Sequence, residues 1–558
     1  MRHARIIVCV LALALVLASA CAPSPTATPV PAQPPATAPT AAPPTAAPTE
    51  PPPAAKGGTI TVSHGINVPD TLNQKISDNT ISRMVAHHVL DGLVAVDARD
   101  GSVHPWLATD WEISADGKVY TFYLREDVTF HDGTPFNAEA VKYNFDYPFQ
   151  PDIPHKFAWG ALGGEKYEKT EVVDEYTVEV YFTEPNAVFL VNLSDGGLGI
   201  DSPTAMQEAG EDYGVKTMIG SGPFKFKEWV KGSHVTLVRN DDYAWAPEFY
   251  ENDGPPYLEQ ITYRDVEDPA TRLAALEGAE INFITINPPQ ASAVEANPDT
   301  VVLTTPKAGT TRMYLMNLAK PPTDDLKVRQ AINHAIDKEG LIMLPAWSGY
   351  ANPGVAALPS NMIPGGMPDS LKALDLKYDV AKANQLMDEA GWEMGADGIR
   401  AKDGIQFILD MICTTAGIPQ VEPLDQMLRD IGGQLNILSG DFNYWIDTVF
   451  EGDFHITLMS DSGYNAPALI WEFFDSEGVY NDYSYSDPEF DTYVRAALGA
   501  ANQEQVWENL IPALELLNEA AVGVMGFEQL YLYAATTDVQ GAYFNEIGFP
   551  YFYDAWVE

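Results

Sequence analysis

The groups that could carry covalent or metal chemistry in this sequence are few, and their spacing does not assemble a reaction centre. Its 558 residues hold 3 cysteines and 10 histidines. There is no GxSxG turn, HExxH helix, CxxC pair or GxxxxGK loop, so a serine nucleophile, a catalytic zinc, a dithiol and a cradled nucleotide all lack their usual signatures. His87 and His88 are adjacent, and neighbours on a helix point in different directions, which argues against a shared metal. Asp97, Asp100 and Gly101 lack the twelve-residue ligand set of a calcium loop and read as a hairpin turn. With 78 Asp and Glu residues, carboxylate pairs arise by chance, so a secreted glycosidase has no positive support. No cofactor is expected, and the residues favour binding over transformation.

The cysteines divide by position. Cys413 lies in the apolar stretch FILDMICTT and reads as a small buried hydrophobe, and Cys9 belongs to an N-terminal apolar run. That run, Ile6 to Ala20, follows Arg2 and Arg5 and stops at Cys21. It is shorter than the about 20 apolar residues that a membrane span needs, and with its basic start it reads as a secretion signal. Ala18-Ser19-Ala20 suits ordinary signal peptidase. The stretch also resembles a lipobox, with Ala18 where Leu is usual and Leu17 one place further out, and lipid on Cys21 is the favoured reading.

Residues 21–56 are almost wholly Pro, Ala and Thr, with no periodicity from which a core could form, and read as a tether. In extended polyproline form, about thirty such residues reach ~90 Å at ~3.1 Å each. The globular part from Gly57 to Glu558 is long enough for two or three lobes. Its charge excludes one class of partner: 32 Lys and Arg against 78 Asp and Glu give −46, and nucleic acid requires a basic field.

Within that part, β-branched alternation predicts a strand at Gly58–Ser63 and hairpins around Asp116-Gly117 and Val173-Asp174-Glu175. Helices are expected at Asn79–Leu90, Ala138–Asp146, Leu326–Ile336, Val380–Ala390 and Gln503–Glu519, with final strands at Gly523–Phe527 and Leu530–Ala534. A strand at Ile261–Val266, a helix at Asp268–Glu277 and a strand at Ile281–Ile286 give a βαβ pattern, the mark of a mixed sheet covered by helices.

Several segments in order resemble family 5 of the bacterial extracellular solute-binding proteins, the oligopeptide- and dipeptide-binding group. They are GLVAVDARDGSVHPWLATDWEISADGKVYTFYLREDVTFHDGTPFNAEAV, IGSGPFKFKEW, KVRQAINHAIDKEGLI and YDVAKANQLMDEAGW. The resemblance implies a mixed α/β, type II periplasmic-binding-protein fold with a hinge between two main lobes. Signal (1–20) and tether (21–56) precede lobe I, formed by 57–98, 218–306 and 528–558; an inserted β-rich lobe takes 99–217, and lobe II takes 307–527. It also implies a monomeric receptor, anchored outside the cytoplasm, that hands a small solute to an ABC permease and its ATPase.

Peptide-binding members of the family often carry an aspartate before proline in lobe II, which pairs with the peptide's ammonium. Here the matching stretch is Ser460-Asp461-Ser462-Gly463-Tyr464-Asn465-Ala466-Pro467, and Ala466 takes the aspartate's place. Asp461 is the nearby substitute. The candidate ligand contacts are Asn67, Trp159, Tyr314, Asn317, Trp347, Asp461, Tyr464, Asn465, Trp471 and Tyr485. Aromatic rings with amide and carboxylate partners suit a peptide, and they also suit an oligosaccharide.

Overall fold

A computed structural model describes residues 56–558, apart from 66–70, 78, 100, 155, 346 and 464. The signal, Cys21, Asn67 and Tyr464 therefore lie outside the described residues, as does the tether up to residue 55. The described residues belong to one unit, Ala54–Glu558.

Twelve strands form one long sheet with two halves. In the first half Thr59–Ser63, whose alternating side chains bury one face, runs parallel to Gln260–Arg264 and Phe283–Thr285. The antiparallel strands His234–Arg239 and Phe224–Val230 extend it. In the second half Arg312–Met316 pairs with Ile456–Met459, and Ile408–Thr414 runs parallel to Ile456–Met459 and to Gln434–Gly440.

One strand joins the halves. Gly523–Thr536 is 14 residues long, which at ~3.3 Å per residue spans about 46 Å. Its first part pairs with Arg312–Met316 and Ala351–Pro353, and its last part with Phe283–Thr285 and Thr300–Pro306. A second crossing runs beside it from Pro306 to Arg312, held by the Lys307 amide on the Gln529 carbonyl at 3.0 Å. Gln529, Leu530 and Tyr531 are only half-buried, while both ends of the strand are buried. The cores thus leave the strand partly uncovered where it passes from one half to the other.

Each half has its own apolar core. Ile60, Val62, Phe224, Ile261 and Phe552 pack in the first; two clusters, around Phe527 and around Phe454, fill the second. A third body is an antiparallel sheet in the order Ala108–Ile113, Val119–Leu124, Thr177–Phe182, Tyr167–Asp174. The two central strands alternate buried and half-buried residues along their length, and Tyr120, Phe122 and Phe189 form its core. The helix Ala138–Asp146, capped by Asn137 on the Ala140 amide, lies against this sheet, with Lys142 donating to the Thr170 carbonyl.

The chain's last residues staple these bodies together. Tyr551 and Tyr553 belong to the core of the third body while Phe549 and Phe552 belong to that of the first half. The adjacent histidines serve this packing. His88 Nδ1 bonds the Met84 carbonyl at 2.9 Å and its Nε2 accepts the Phe552 amide at 3.1 Å. That pair of bonds requires a neutral ring, and burial lowers the pKa of His88 to about 3.

Candidate functional site

A cavity of about 590 Å³ opens where the three bodies meet. The third body and its entry supply Val96, Arg99, Val188 and Val191. The first half supplies Thr305, Pro306, Asn545 and Glu546, and the second half supplies Met362, Ala466, Pro467 and Trp507. A second cavity, about 580 Å³, is lined by residues 134–150 and 203–207. It lies between the helices Ala138–Asp146 and Pro203–Ala209 and takes no lining residue from the second half or from either crossing.

The wall carrying Ala466 is set by the second crossing. Asp461 donates its amide to Thr310 Oγ1 at 2.8 Å and accepts the Thr310 amide at 2.9 Å. Gly309 permits that approach: its φ is 135°, and a Cβ there would stand 2.1 Å from the Asp461 carbonyl oxygen. The chain then turns into the helix Ala466–Phe474, where the Asn465 side chain caps the Ala468 amide at 3.2 Å.

The charges around the cavity are unequally compensated. Arg99 and Glu546 are its charged lining residues. Arg99 holds Asp97 through Nε at 2.8 Å and Nη2 at 2.6 Å, which keeps the Asp97 carboxyl below the usual range. Glu546 instead accepts a hydrogen bond of 2.7 Å from the neutral Ser194 hydroxyl. Among the described residues no cation stands within 4.0 Å of it. Burial pushes its carboxyl up to about 7, against the Ser194 bond and with help from Asp195.

Positive charge collects on the crossing. Lys307 follows the lining residue Pro306, and Arg312 donates to Gln420 Oε1 at 3.1 Å and Ser460 Oγ at 2.9 Å. Burial lowers the pKa of both; at Lys307 the charge of Arg312 adds to this and Asp461 partly opposes it, while at Arg312 Tyr314 and Cys413 oppose it. Among the described residues neither forms an ion pair within 4.0 Å.

Residues 102–481 match the family described as Bacterial extracellular solute-binding proteins, family 5 Middle. The chain belongs to this family. The Glutathione-binding protein GsiB of Pectobacterium atrosepticum is 30% identical over 466 residues, covering 81% of this chain and 84% of that protein. Its namesake in Salmonella typhimurium is 32% identical over 463 residues, covering 80% and 87%. Among solved structures, NikA from Brucella suis in complex with Fe(III)-EDTA superposes with a TM-score of 0.75 at 26% identity, covering 90% of this chain and 100% of that one. The DppA periplasmic binding protein from Helicobacter pylori in complex with peptide STSA gives 0.66 at 22% identity, covering 90% and 98%. The fold is the mixed α/β, type II periplasmic-binding-protein fold that the sequence resemblance implies.

Against this family frame the residues singled out from sequence fall in several places. Asp461, Asn465 and Trp471 share the segment that leads into and forms the Ala466 helix, with Asp461 Oδ1 accepting the Ser462 amide at 2.6 Å. Tyr314 and Trp347 meet at Phe527 in the core of the second half, and the Tyr314 hydroxyl donates to the Gln420 carbonyl at 2.9 Å. Asn317 is buried, donating to the Gly452 carbonyl at 3.1 Å. Tyr485 packs on Phe490, and Trp159 lies beside Phe149 in the third body. The cavity lining takes Ala466 and Pro467 from the motif segment, and the described members of the candidate set stand outside that lining. Glu546, Met362 and Trp507, which line it, carried no sequence signal.

Proposed function

We propose that the chain is the extracytoplasmic receptor of an ABC importer and that it captures a short peptide-like solute in the cavity between its bodies. One observation carries this reading: the cavity lining holds Glu546, which among the described residues has no cation within 4.0 Å, and includes Pro306, the first residue of the crossing that bears the cations Lys307 and Arg312. A solute with both an amine and a carboxylate meets both signs, whereas a neutral sugar meets neither. The volume falls within the ~300–1,000 Å³ usual for small-molecule sites. The relatives named for glutathione and the structural neighbour holding peptide STSA support the same solute class.

Thermal shift and calorimetry on the mature chain in mild detergent test the proposal with glutathione, trialanine and a set of oligosaccharides. Free-ended peptides are expected to raise the melting temperature, since a ligand at 100 times its Kd stabilises the folded state by about 2.7 kcal/mol. A shift with the oligosaccharides and none with any peptide would contradict it.

The receptor role also calls for an anchor, which we place on Cys21. Cys21→Ser is expected to move the protein from the membrane to the soluble fraction, because no helix among the described residues is long and apolar enough to cross a membrane. Fractionation in which the variant stays as membrane-bound as the parent would contradict lipidation at this cysteine.

A further inference from the structure

We infer that Glu546 is the group that pairs with a solute's ammonium, making the cavity selective for solutes with a free primary amine. The inference rests on the peptide-receptor reading and deepens it.

Three features of the geometry support it. First, Glu546 is held in place before any solute arrives. It sits in the turn between the paired strands Tyr543–Phe544 and Pro550–Tyr551. Asn545 closes that turn: its side chain accepts the Phe549 amide at 2.8 Å and its carbonyl accepts the Gly548 amide at 2.8 Å. The Tyr533 hydroxyl ties the turn to the long crossing strand through the Gly548 carbonyl at 2.9 Å. A carboxylate on so fixed a support loses little freedom when it pairs.

Second, its charge is unspent. Ser194 supplies one neutral hydrogen bond, and the neighbouring cation Arg83 is engaged by Asp195 at 3.2 Å. A half-buried carboxylate without a cation is costly, and an arriving ammonium removes that cost, so occupancy of the cavity is coupled to a positive group. Third, the motif segment offers the cavity no competing acid: Ala466 and Pro467 line it there, while Asp461 is turned back on the Ser462 amide. A bare metal ion is a poor match, because the described residues contain no cluster of three or more His, Cys, Asp or Glu able to hold one.

The test uses trialanine and glutathione, each with a free amine and as its N-acetylated form, titrated calorimetrically into the full mature chain and into Glu546→Gln and Asp461→Asn. Glutamine keeps the side-chain length and still accepts from Ser194, so Glu546→Gln is expected to melt within a few degrees of the parent. Its affinity for the free-amine peptides should fall on the order of 100-fold, with less than about a threefold change for the N-acetylated forms. Asp461→Asn should stay within about threefold of the parent for both. Parent affinity for free-amine peptides in Glu546→Gln would overturn the inference, as would an equal loss for free and acetylated forms, which would give Glu546 a structural role. If Asp461→Asn alone loses the free-amine preference, the ammonium partner lies on the opposite wall and the inference falls. Should no peptide bind the parent, the receptor reading for peptides fails first and this inference with it.

Discussion

Replacing Lys75 with methionine is expected to destabilise the protein by about 3–5 kcal/mol, the penalty for leaving a buried charge without its partner. Lys75 follows the first strand and is fully buried, with Nζ donating to the Gly199 carbonyl at 2.7 Å and standing 3.4 Å from the Asp201 carboxylate. Tyr213 also donates to Asp201, at 2.5 Å, but Asp201 Oδ2 has no hydrogen-bond partner. Burial drives the Lys75 pKa down and the Asp201 pKa up, while the ion pair opposes both shifts. Without the lysine, Asp201 must be buried as an unpaired anion or take up a proton. Lys75→Met with Asp201→Asn should therefore recover much of the loss. Chemical denaturation followed by the first unfolding transition measures it, because a chain of several cores need not unfold in one step. A Lys75→Met variant as stable as the parent would show that the pair contributes nothing net.

That pair matters for function because Gly199 and Asp201 lie next to the third body's core, while the segment of Lys75 follows the first strand of the sheet. Ser194, which steadies Glu546, belongs to the same stretch of chain as Gly199.

Local signals were enough for most elements. The helices Ala138–Asp146 and Gln503–Glu519 begin after Asn137 and Asn502, whose side chains cap them, and both span the residues expected. The helix expected to run from Asn79 to Leu90 ends at Ala86. Tertiary bonds override its periodicity: the His88 carbonyl accepts the Phe224 amide and the Val89 carbonyl accepts the Gly222 amide. Gly220 and Gly222 let the two chains approach, since a Cβ on Gly220 would lie 2.2 Å from the Val89 oxygen. The two strands expected at Gly523–Phe527 and Leu530–Ala534 are one. Polar Glu528 and Gln529 break the apolar pattern, yet Glu528 is buried by accepting the Ser360 amide and hydroxyl, and the strand continues through them.

The site was less legible than the fold, for a reason of distance. The segment Ser460–Pro467 announces itself through a family motif, and it contributes Ala466 and Pro467 to the lining. Glu546 sits in an aromatic tail with no periodicity, 352 positions from the serine that holds it. No local pattern connects two such residues; the long crossing strand and the tail hairpin bring them together only in the folded chain.

Closure of the bodies on a peptide is the second large effect expected, and it bears on the central claim directly. Two adjacent crossings, Pro306–Arg312 and the middle of Gly523–Thr536, join the halves, and the cavity draws its lining from both halves and the third body. A solute that touches several walls binds a closed arrangement more tightly than an open one, so it shifts the population toward closure by its difference in affinity. Small-angle scattering from the mature chain, with and without a peptide whose saturation calorimetry has verified, measures the shift. The account predicts that the radius of gyration falls when the peptide is bound; an unchanged radius at verified saturation would contradict capture between the bodies.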